Sequence, residues 1–235
     1  MGLFSEGQAE GLRQVRAGQA VPVCAGEEEL TLEEQLASAR HEALTDPVTG
    51  LPNRRAFDRT LTNRIEDLRR YGAGFGLLVL DLDHFKRLNR RLGHGGADGA
   101  LQRFAEVAAG CVRAGDLLAR WGGDEFAMIV ERTDGSALFE VAERLRLAAS
   151  RTEAIIGGRR VALRVSVGGA VAQADDTSDT LFARADRAMY AAKSGGRDLA
   201  IVGDLRSVPI READGSTGPD SGLDEPVSLQ EGPQG

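Results

Sequence analysis

The sequence predicts an α+β sandwich in which one β-sheet is covered by helices. Apolar runs of strand length alternate with longer segments whose apolar residues recur every three to four positions, which is the period of a helix. In chain order they give a strand, a helix, a two-stranded hairpin, a helix and a strand. This is the ferredoxin-like βαββαβ plan, with extra helices. A length of 235 residues suits one such domain with flanking segments.

The two ends of the chain differ from its centre in charge. Residues 1–40 hold seven Asp and Glu against three Lys and Arg, and residues 204–235 hold seven against two. The net charge of −7 therefore lies in the flanks. We predict an N-terminal segment (1–43) that ends in a helical stalk, a globular domain (44–203) and a disordered acidic tail (204–235), because the tail is too poor in apolar residues to build a core.

Composition excludes several classes of protein. Cys24 and Cys111 form neither a disulfide framework nor a metal-binding spacing, which suggests a reducing compartment. No apolar run reaches the roughly 18–20 residues of a membrane span, and residues 1–20 lack a signal-peptide core. A near-neutral centre favours a small polyanion such as a nucleotide over a nucleic acid. We therefore expect a cytoplasmic protein without a membrane span or a nucleic-acid partner.

The first half of the chain is predicted to begin with an amphipathic helix over Glu27–Ala43. Thr31 and Glu34 have the spacing of a capping box at its start. This helix is short for a coiled coil, but it fits a dimerising or signalling stalk. The elements that follow are a helix over 54–70, a buried strand over 75–81, and two helical stretches over 85–92 and 97–113 with a glycine-rich break between them.

The second half is predicted to start with a hairpin around Trp121–Phe126, because this glycine-containing hexapeptide joins two short apolar runs. The later elements are a helix over 138–150, a strand over 161–172, a helix over 181–193 and a short strand over 199–202. This order places the end of the first strand beside the tip of the hairpin.

The hairpin tip carries two glycines and the adjacent carboxylates of Asp124 and Glu125. Glycines let a phosphate approach the backbone, and carboxylates are the hard oxygen ligands that Mg²⁺ prefers. If Asp81 meets these carboxylates across the sheet, the three side chains form a site suited to metal-dependent phosphoryl or nucleotidyl transfer. A solvated acidic turn is the alternative for the hexapeptide alone. Asp83 is interpreted as the cap of the following helix.

Polar residues around this tip allow both functional and ordinary structural interpretations. Lys86 opens a helix, where anions are favoured, but it is equally well explained as a solvated lysine. Asn89 and Asp98 flank the glycine-rich break; together they could recognise guanine, whereas separately they are typical caps. Lys193 and Arg197 could hold phosphates or simply interact with a helix dipole.

Arg113 and Asp116 lie at a turn ahead of the hairpin, where an ordinary surface salt bridge explains them equally well.

Taken together, these motifs resemble the GGDEF-domain diguanylate cyclase family over about Leu44–Val202. The resemblance rests on motifs in the same order along the chain: LTDPVTGLPNRR at 44–55, DLDHFK at 81–86 with Asn89, Gly93, His94 and Asp98, GGDEF at 122–126, and Ala185-Asp186, Met189-Tyr190, Ala192-Lys193 and Gly196-Arg197 near the end. It implies the palm of nucleotide cyclases and polymerases, and condensation of two GTP into cyclic di-GMP with release of two pyrophosphates.

The resemblance also implies roles for individual residues. Mg²⁺, or Mn²⁺, is expected on Asp81, the Leu82 carbonyl, Asp124 and Glu125, with Glu125 also acting on the 3′-hydroxyl. The substrate-binding residues implied are Asn89 and Asp98 for guanine, and Phe85, Lys86, Lys193 and Arg197 for the triphosphate. Each domain is expected to present one GTP, so the active form is a homodimer.

Arg113 and Asp116 match the RxxD product-inhibition site of the family, and Arg144 resembles its secondary arginine. Cyclic di-GMP is therefore expected as an allosteric ligand as well as the product. The chain departs from the family pattern at Arg90, Ala97 and Asp198. Two alternatives stay open: a cyclic di-GMP-binding effector with little catalysis, and a cyclase that makes a mixed dinucleotide, against which the Asp98 carboxylate argues.

Overall fold

The computed structural model describes residues 31–203 and 205–207. The helices of this part of the chain are α1 (Leu32–Leu44), α2 (Arg54–Tyr71), α3 (Phe85–Ala109), α4 (Gly135–Ser150) and α5 (Ser178–Ser194). The strands are β1 (Phe75–Leu82), β2 (Leu117–Gly122), β3 (Glu125–Glu131), β4 (Glu153–Ile156), β5 (Arg159–Ala162), β6 (Val165–Val171), β7 (Ala200–Val202) and β8 (Leu205–Arg206).

Six of the strands form one sheet in the order β2-β3-β1-β6-β7-β8. The neighbours β2–β3, β3–β1 and β1–β6 are antiparallel, and β7 joins parallel to β6. This arrangement of β1, β2, β3 and β6 with α3 and α4 is the order expected of a ferredoxin-like βαββαβ unit. The predicted fold class is therefore confirmed, and β1 is a central strand.

All eight residues of β1 are buried, because helices cover both faces of the sheet. Side chains alternate between the two faces, so Leu78 and Leu80 pack with residues of α3 and α4, whereas Leu77 and Val79 pack with residues of α2 and α5. The two apolar layers hold β1 rigidly. Its C-terminal end consequently provides a fixed platform for polar side chains.

One predicted strand is wrong. The range 161–172 was expected to be a single strand, but it divides into β5 and β6, and β5 pairs with the unpredicted β4 in a separate two-stranded sheet. Gly157 and Gly158 form the turn between β4 and β5, with φ angles of 56° and 75°. Such left-handed angles at both turn residues favour a tight hairpin, so the Gly-Gly pair was the available signal.

The two helical stretches predicted after β1 are one element with a break. Gly93 has φ 71° and ψ 178° inside α3, which interrupts the helix where the sequence predicts a glycine-rich break. The helix ends at Ala109 rather than at Arg113. The residues after it turn back through hydrogen bonds from Cys111 to Ala108 and from Val112 to Ala109.

The two flanks are described only in part. The predicted capping box is confirmed: Thr31 accepts from the Glu34 amide, and Glu34 accepts from the Thr31 amide. The start of the predicted helix at Glu27 lies outside the described residues. So does the predicted tail apart from 205–207, which contribute β8 and Ser207. None of the helices in the described ranges is both long and apolar enough to cross a bilayer.

Candidate active site at the end of the central strand

A cleft of about 420 Å³ lies where β1 ends beside the β2–β3 turn. The pairing of β1 with β3 places Asp81 directly opposite Glu125, and the Leu82 amide donates to the Asp124 carbonyl at 3.2 Å. The sheet register therefore brings the predicted carboxylates to one place. The predicted site residues that line this cleft are Asp81, Leu82, Phe85, Lys86, Asp124, Glu125, Lys193 and Arg197.

Asp81 is the most perturbed of these groups. It is only 6% exposed, and the Lys193 ammonium lies 2.6 Å from its carboxylate. Burial raises the pKa of Asp81 to about 6; the contact with Lys193 opposes this rise, while the negative charges of Asp124 and Glu125 add to it. A carboxylate held among like charges in this way gains stabilisation from any bound cation.

The donor atoms of the cleft fit a divalent cation in chemistry. Asp81, Asp124 and Glu125 offer carboxylate oxygens, and Leu82 offers a main-chain carbonyl, which are the ligand types that Mg²⁺ and Mn²⁺ take. Among the described residues, no three His, Cys, Asp or Glu side chains already converge as a metal cluster. Lys193 instead supplies the positive charge beside Asp81.

Arg120 does not line the cleft but holds the glycine turn beside it, a role that the sequence did not predict. Its guanidinium donates to the Gly123 carbonyl at 2.7 and 3.0 Å and pairs with Asp46 at 3.1 Å. Partial burial disfavours ionised Asp46, but hydrogen bonds from Thr49 and Arg120 outweigh it and lower the pKa of Asp46. Arg120 thereby fixes the glycine turn to the segment before α2. The only sequence signal was an arginine two residues ahead of Gly-Gly.

The interpretation of Asp83 as a helix cap is wrong. The residue before α3 is His84, in a left-handed conformation with φ 59° and no side-chain cap. Asp83 instead accepts from the Ser166 hydroxyl and from the Asp198 amide, both at 2.8 Å. These bonds tie the end of β1 to β6 and to the segment before β7. Its role in the structure is to join strands rather than to start a helix.

The predicted guanine-binding residues are not among those that line the cleft. Asn89 and Asp98 both belong to α3 and lie on either side of its break at Gly93. Asn89 is half-buried and Asp98 is exposed. Phe85 and Lys86, one helical turn before Asn89, do line the cleft. The structure therefore gathers the predicted metal and phosphate residues, while the guanine pair lies further along the same helix.

The predicted product-inhibition residues lie around the loop between α3 and β2. Asp116 accepts from the main-chain amides of Arg113 and Glu131, at 3.2 and 3.0 Å, so it fixes the shape of the turn. The Arg113 side chain is exposed. Arg144, on α4, donates to the Cys111 carbonyl at 3.1 Å. Both arginines therefore border the same loop, on a part of the surface that does not line the catalytic cleft.

Comparisons with known proteins agree with this geometry. The family model described as "Diguanylate cyclase, GGDEF domain" matches residues 43–199. Diguanylate cyclase DgcP of Pseudomonas aeruginosa is 37% identical over 167 residues, which are 71% of this chain and 25% of DgcP. Diguanylate cyclase DgcM of Escherichia coli is 37% identical over 176 residues, which are 74% of this chain and 41% of DgcM. The chain thus matches well under half the length of either relative.

A solved structure of the coiled coil and GGDEF domain of DgcB from Caulobacter crescentus, in complex with c-di-GMP, is also similar. It has a TM-score of 0.69 and 34% identity, and the match covers 72% of this chain and 90% of that one. Family model, sequence relatives and fold agree over the same domain. The chain belongs to the GGDEF-domain diguanylate cyclase family.

Proposed function

We propose that this chain is a metal-dependent diguanylate cyclase, which joins two GTP molecules into cyclic di-GMP and releases two pyrophosphates. The observation that carries the proposal is the pairing of Asp81 with Glu125 in a cleft that also holds Lys193 and Arg197. Carboxylates for a cation and basic groups for phosphates thus line one cavity. This combination suits nucleotidyl transfer.

In the proposed reaction, the 3′-hydroxyl oxygen of one GTP attacks the α-phosphorus of the other, and pyrophosphate leaves. The same step repeated in the opposite direction closes the ring. Glu125, which lines the cleft, is proposed to accept the hydroxyl proton. Lys86, Lys193 and Arg197 would hold the β- and γ-phosphates, with Phe85 beside them. These basic groups keep the triphosphate oriented while its α-phosphorus is attacked.

A divalent cation, Mg²⁺ or Mn²⁺, would be held by Asp81, Asp124, Glu125 and the Leu82 carbonyl. When bound, it supplies positive charge at the α-phosphate and lowers the pKa of the attacking hydroxyl. Lys193 contacts Asp81, so its ammonium lies at the edge of this carboxylate group. A phosphate that enters the cleft would therefore meet the positive charge of the Lys193 ammonium. Asn89 and Asp98 are proposed to hydrogen-bond the guanine edge.

The proposed active form is a homodimer, because each domain offers one GTP and the reaction joins two. The support for this comes from α1, on which Leu32 is 80% exposed and Leu36 is 49% exposed. These residues are four positions apart and share one helix face. Exposed leucines on one face of a helix are typical of a helix that pairs with a second copy.

Incubation of the full chain with GTP and Mg²⁺ tests the proposal. We expect cyclic di-GMP and pyrophosphate, with a rate per molecule that rises with protein concentration because the active form is a dimer. Glu125→Gln should lower the rate at least 100-fold, since it removes the proton acceptor and one cation ligand. Glu66→Gln, an exposed carboxylate change on α2, is the matched control. Absence of product at every protein concentration and with both cations would reject the proposal.

Product inhibition at Arg113, Asp116 and Arg144 is proposed as part of the same function. The support is the exposed Arg113 side chain on a loop that Asp116 fixes and that Arg144 contacts. Arg113→Ala should raise the cyclic di-GMP concentration needed for half inhibition at least tenfold, because a charge-assisted contact to a phosphate is lost. Arg59→Ala, an exposed arginine on α2, should leave inhibition intact. Equal inhibition of both variants would contradict the assignment.

The second candidate function is a cyclic di-GMP effector with little catalysis. It is favoured by the absence, among the described residues, of a converged three-ligand metal cluster. Calorimetry with cyclic di-GMP would show binding under either function. Turnover of GTP separates the two, since an effector binds the dinucleotide without making it.

A further inference from the structure

A second cavity, distinct from the cleft, lies between the first part of α3 and the strand β5. Its volume is about 290 Å³. It is unusual in its charge, because five arginines from two separate elements line it. They are Arg87 and Arg91 from α3, and Arg159, Arg160 and Arg164 from β5 and the turn that follows. We refer to this cavity as the arginine groove.

The arginine groove and the predicted guanine-binding residue Asn89 occupy different faces of α3. The groove is lined by His84, Arg87, Leu88 and Arg91, whose spacing of three and four places them on one side of a helix. At about 100° per residue, Asn89 lies far around the helix from that side. The groove shares the segment 82–85 with the catalytic cleft, but its basic side chains all lie outside the cleft.

Three of the five guanidinium groups are not neutralised within the described part of the chain. Arg160 pairs with Glu153, and Arg164 pairs with Asp198. By contrast, the Arg87, Arg91 and Arg159 side chains have no carboxylate or hydrogen-bond partner among the residues at 31–203 and 205–207. Like charges gathered on two facing walls repel one another, so an anion between them would relieve that repulsion.

Within residues 31–203 and 205–207, Asp83 is the only carboxylate that lines the groove, and it is already engaged. Asp83 accepts from the Ser166 hydroxyl and the Asp198 amide, one bond on each oxygen. It therefore does little to neutralise the arginines around it. The floor of the groove is apolar, formed by Leu88, Leu92, Val161 and Leu163. A basic rim around an apolar floor in a partly open cavity suits the binding of a small anion.

We propose that the arginine groove binds a small ligand that carries at least two adjacent phosphate groups. Guanidinium groups bind phosphate oxygens through paired, charge-assisted hydrogen bonds, and two facing walls of arginines can engage two phosphates at once. A cavity of this size admits a polyphosphate or a nucleotide but not a folded partner. Because none of the arginines of the groove lines the catalytic cleft, its ligand is bound whether or not the chain turns over GTP.

Calorimetry of the full chain with inorganic tripolyphosphate, in EDTA, tests the proposal. Without a divalent cation the catalytic carboxylates repel the probe, whereas the arginine groove needs no cation. We expect saturable binding that the double variant Arg87→Gln/Arg91→Gln weakens at least tenfold. Arg159→Gln, from the opposite wall, should weaken it as well. Inorganic monophosphate should bind at least tenfold less tightly than tripolyphosphate.

Two matched variants locate the binding. Arg90→Gln removes an exposed arginine from the same helical turn but not from the groove, so it should retain the affinity of the unchanged chain. Lys193→Ala should retain it too, since Lys193 belongs to the catalytic cleft. Melting curves establish that each variant is folded. Loss of binding in Lys193→Ala, or equal loss in Arg90→Gln and the double variant, would overturn the proposal.

The acidic residues at 208–235 provide a competing occupant that the same measurement detects. Six carboxylates lie in that range against one arginine. A full-length variant in which all six become amides should bind tripolyphosphate as the unchanged chain does. A tenfold gain in affinity for this variant would assign the groove to the chain's own tail, and would overturn the proposal of a small-ligand site.

Discussion

Asp81 is a residue at which stability of the fold and the chemistry of the site place opposite demands. Its carboxylate is buried at the end of a central strand and lies near the charges of Asp124 and Glu125. Burial is the main reason that its pKa is raised to about 6, and the nearby Lys193 only partly offsets that effect. Ionised Asp81 therefore destabilises the domain at neutral pH. In return, this carboxylate would bind a cation strongly, because the cation neutralises its charge.

Asp81→Asn should stabilise the cation-free domain while abolishing its activity. A pKa raised from 3.8 to about 6 corresponds to about 3 kcal/mol of unfavourable free energy for the charged form at pH 7. The amide removes that charge, so in EDTA we expect a gain of about 1–3 kcal/mol in the free energy of unfolding by urea. Addition of Mg²⁺ should stabilise the unchanged chain more than the variant. A variant that is less stable in EDTA would contradict this account.

Helix α5 packs closely on strand β6 at Gly168. A Cβ atom added to Gly168 would lie 1.9 Å from the Met189 amide nitrogen and 2.4 Å from the Ala185 carbonyl oxygen. Both neighbours are main-chain atoms of α5 and cannot move aside like a flexible side chain. Gly168 thus lets the helix rest directly on the strand. The carboxyl end of that helix carries Lys193 into the cleft.

Gly168→Ala should destabilise the domain by about 3 kcal/mol or more, because the helix must move away from the sheet. We also expect weaker GTP binding, since Lys193 moves with the helix. Gly74→Ala is the matched control: it meets no atom within 4 Å and has no left-handed φ angle. Chemical unfolding of both variants measures the difference. Similar midpoints for the two would show that α5 can move away from Gly168 at little cost.

At the scale of the whole molecule, buried ion pairs join elements that are distant in sequence. Arg146 on α4 is only 1% exposed and pairs with Glu143 at 2.5 Å and with Asp198 at 3.1 Å. Asp198 also pairs with Arg164, and its amide donates to Asp83. The chain departs from the family pattern at Asp198. Its carboxylate connects α4 to the turn before β6, and its main-chain amide donates to Asp83 at the end of β1.

These paired carboxylates predict the response of stability to acid. Burial opposes ionisation of Glu143, but hydrogen bonds from Arg146 and Ser207 outweigh it and lower the pKa of Glu143. Burial also opposes ionisation of Asp176, whose pKa is lowered by hydrogen bonds from Gln173, Arg184 and Thr180. A carboxyl whose pKa is lower in the folded state stabilises it above the unfolded pKa. That stability is lost as the pH falls through the folded value.

The midpoint of urea unfolding should therefore fall as the pH decreases below about 4, the range of unfolded Asp and Glu. The contribution of Asp81 to stability changes in the opposite direction. Because its pKa is raised in the folded state, Asp81 destabilises the fold as the pH rises through about 6. Asp176→Asn should be less stable at pH 7 and should lose less on acidification. A midpoint that is constant from pH 7 to pH 3 would contradict this prediction.

The sequence by itself determined the order of the βαββαβ elements, although not the β4–β5 hairpin, because apolar periodicity depends only on which residues follow one another. It also identified the hairpin carboxylates, and the βαββαβ order placed the end of the first strand beside them. The sheet register then decided that Asp81 lies opposite Glu125. Thr31 and Glu34 were recognisable for the same reason: a capping box is a local interaction between residues three positions apart.

Only the tertiary structure decided interactions between residues far apart in the chain. Arg120 and Asp46 are separated by 74 positions, and Asp83 and Asp198 by 115, so no local pattern links them. The arginine groove likewise forms where α3 meets an unpredicted hairpin. The carboxylates at the hairpin tip could be recognised from the sequence. The partners of these carboxylates could not be recognised from the sequence. The charge of a side chain follows from its residue type, whereas its neighbours are set by the packing of the whole domain.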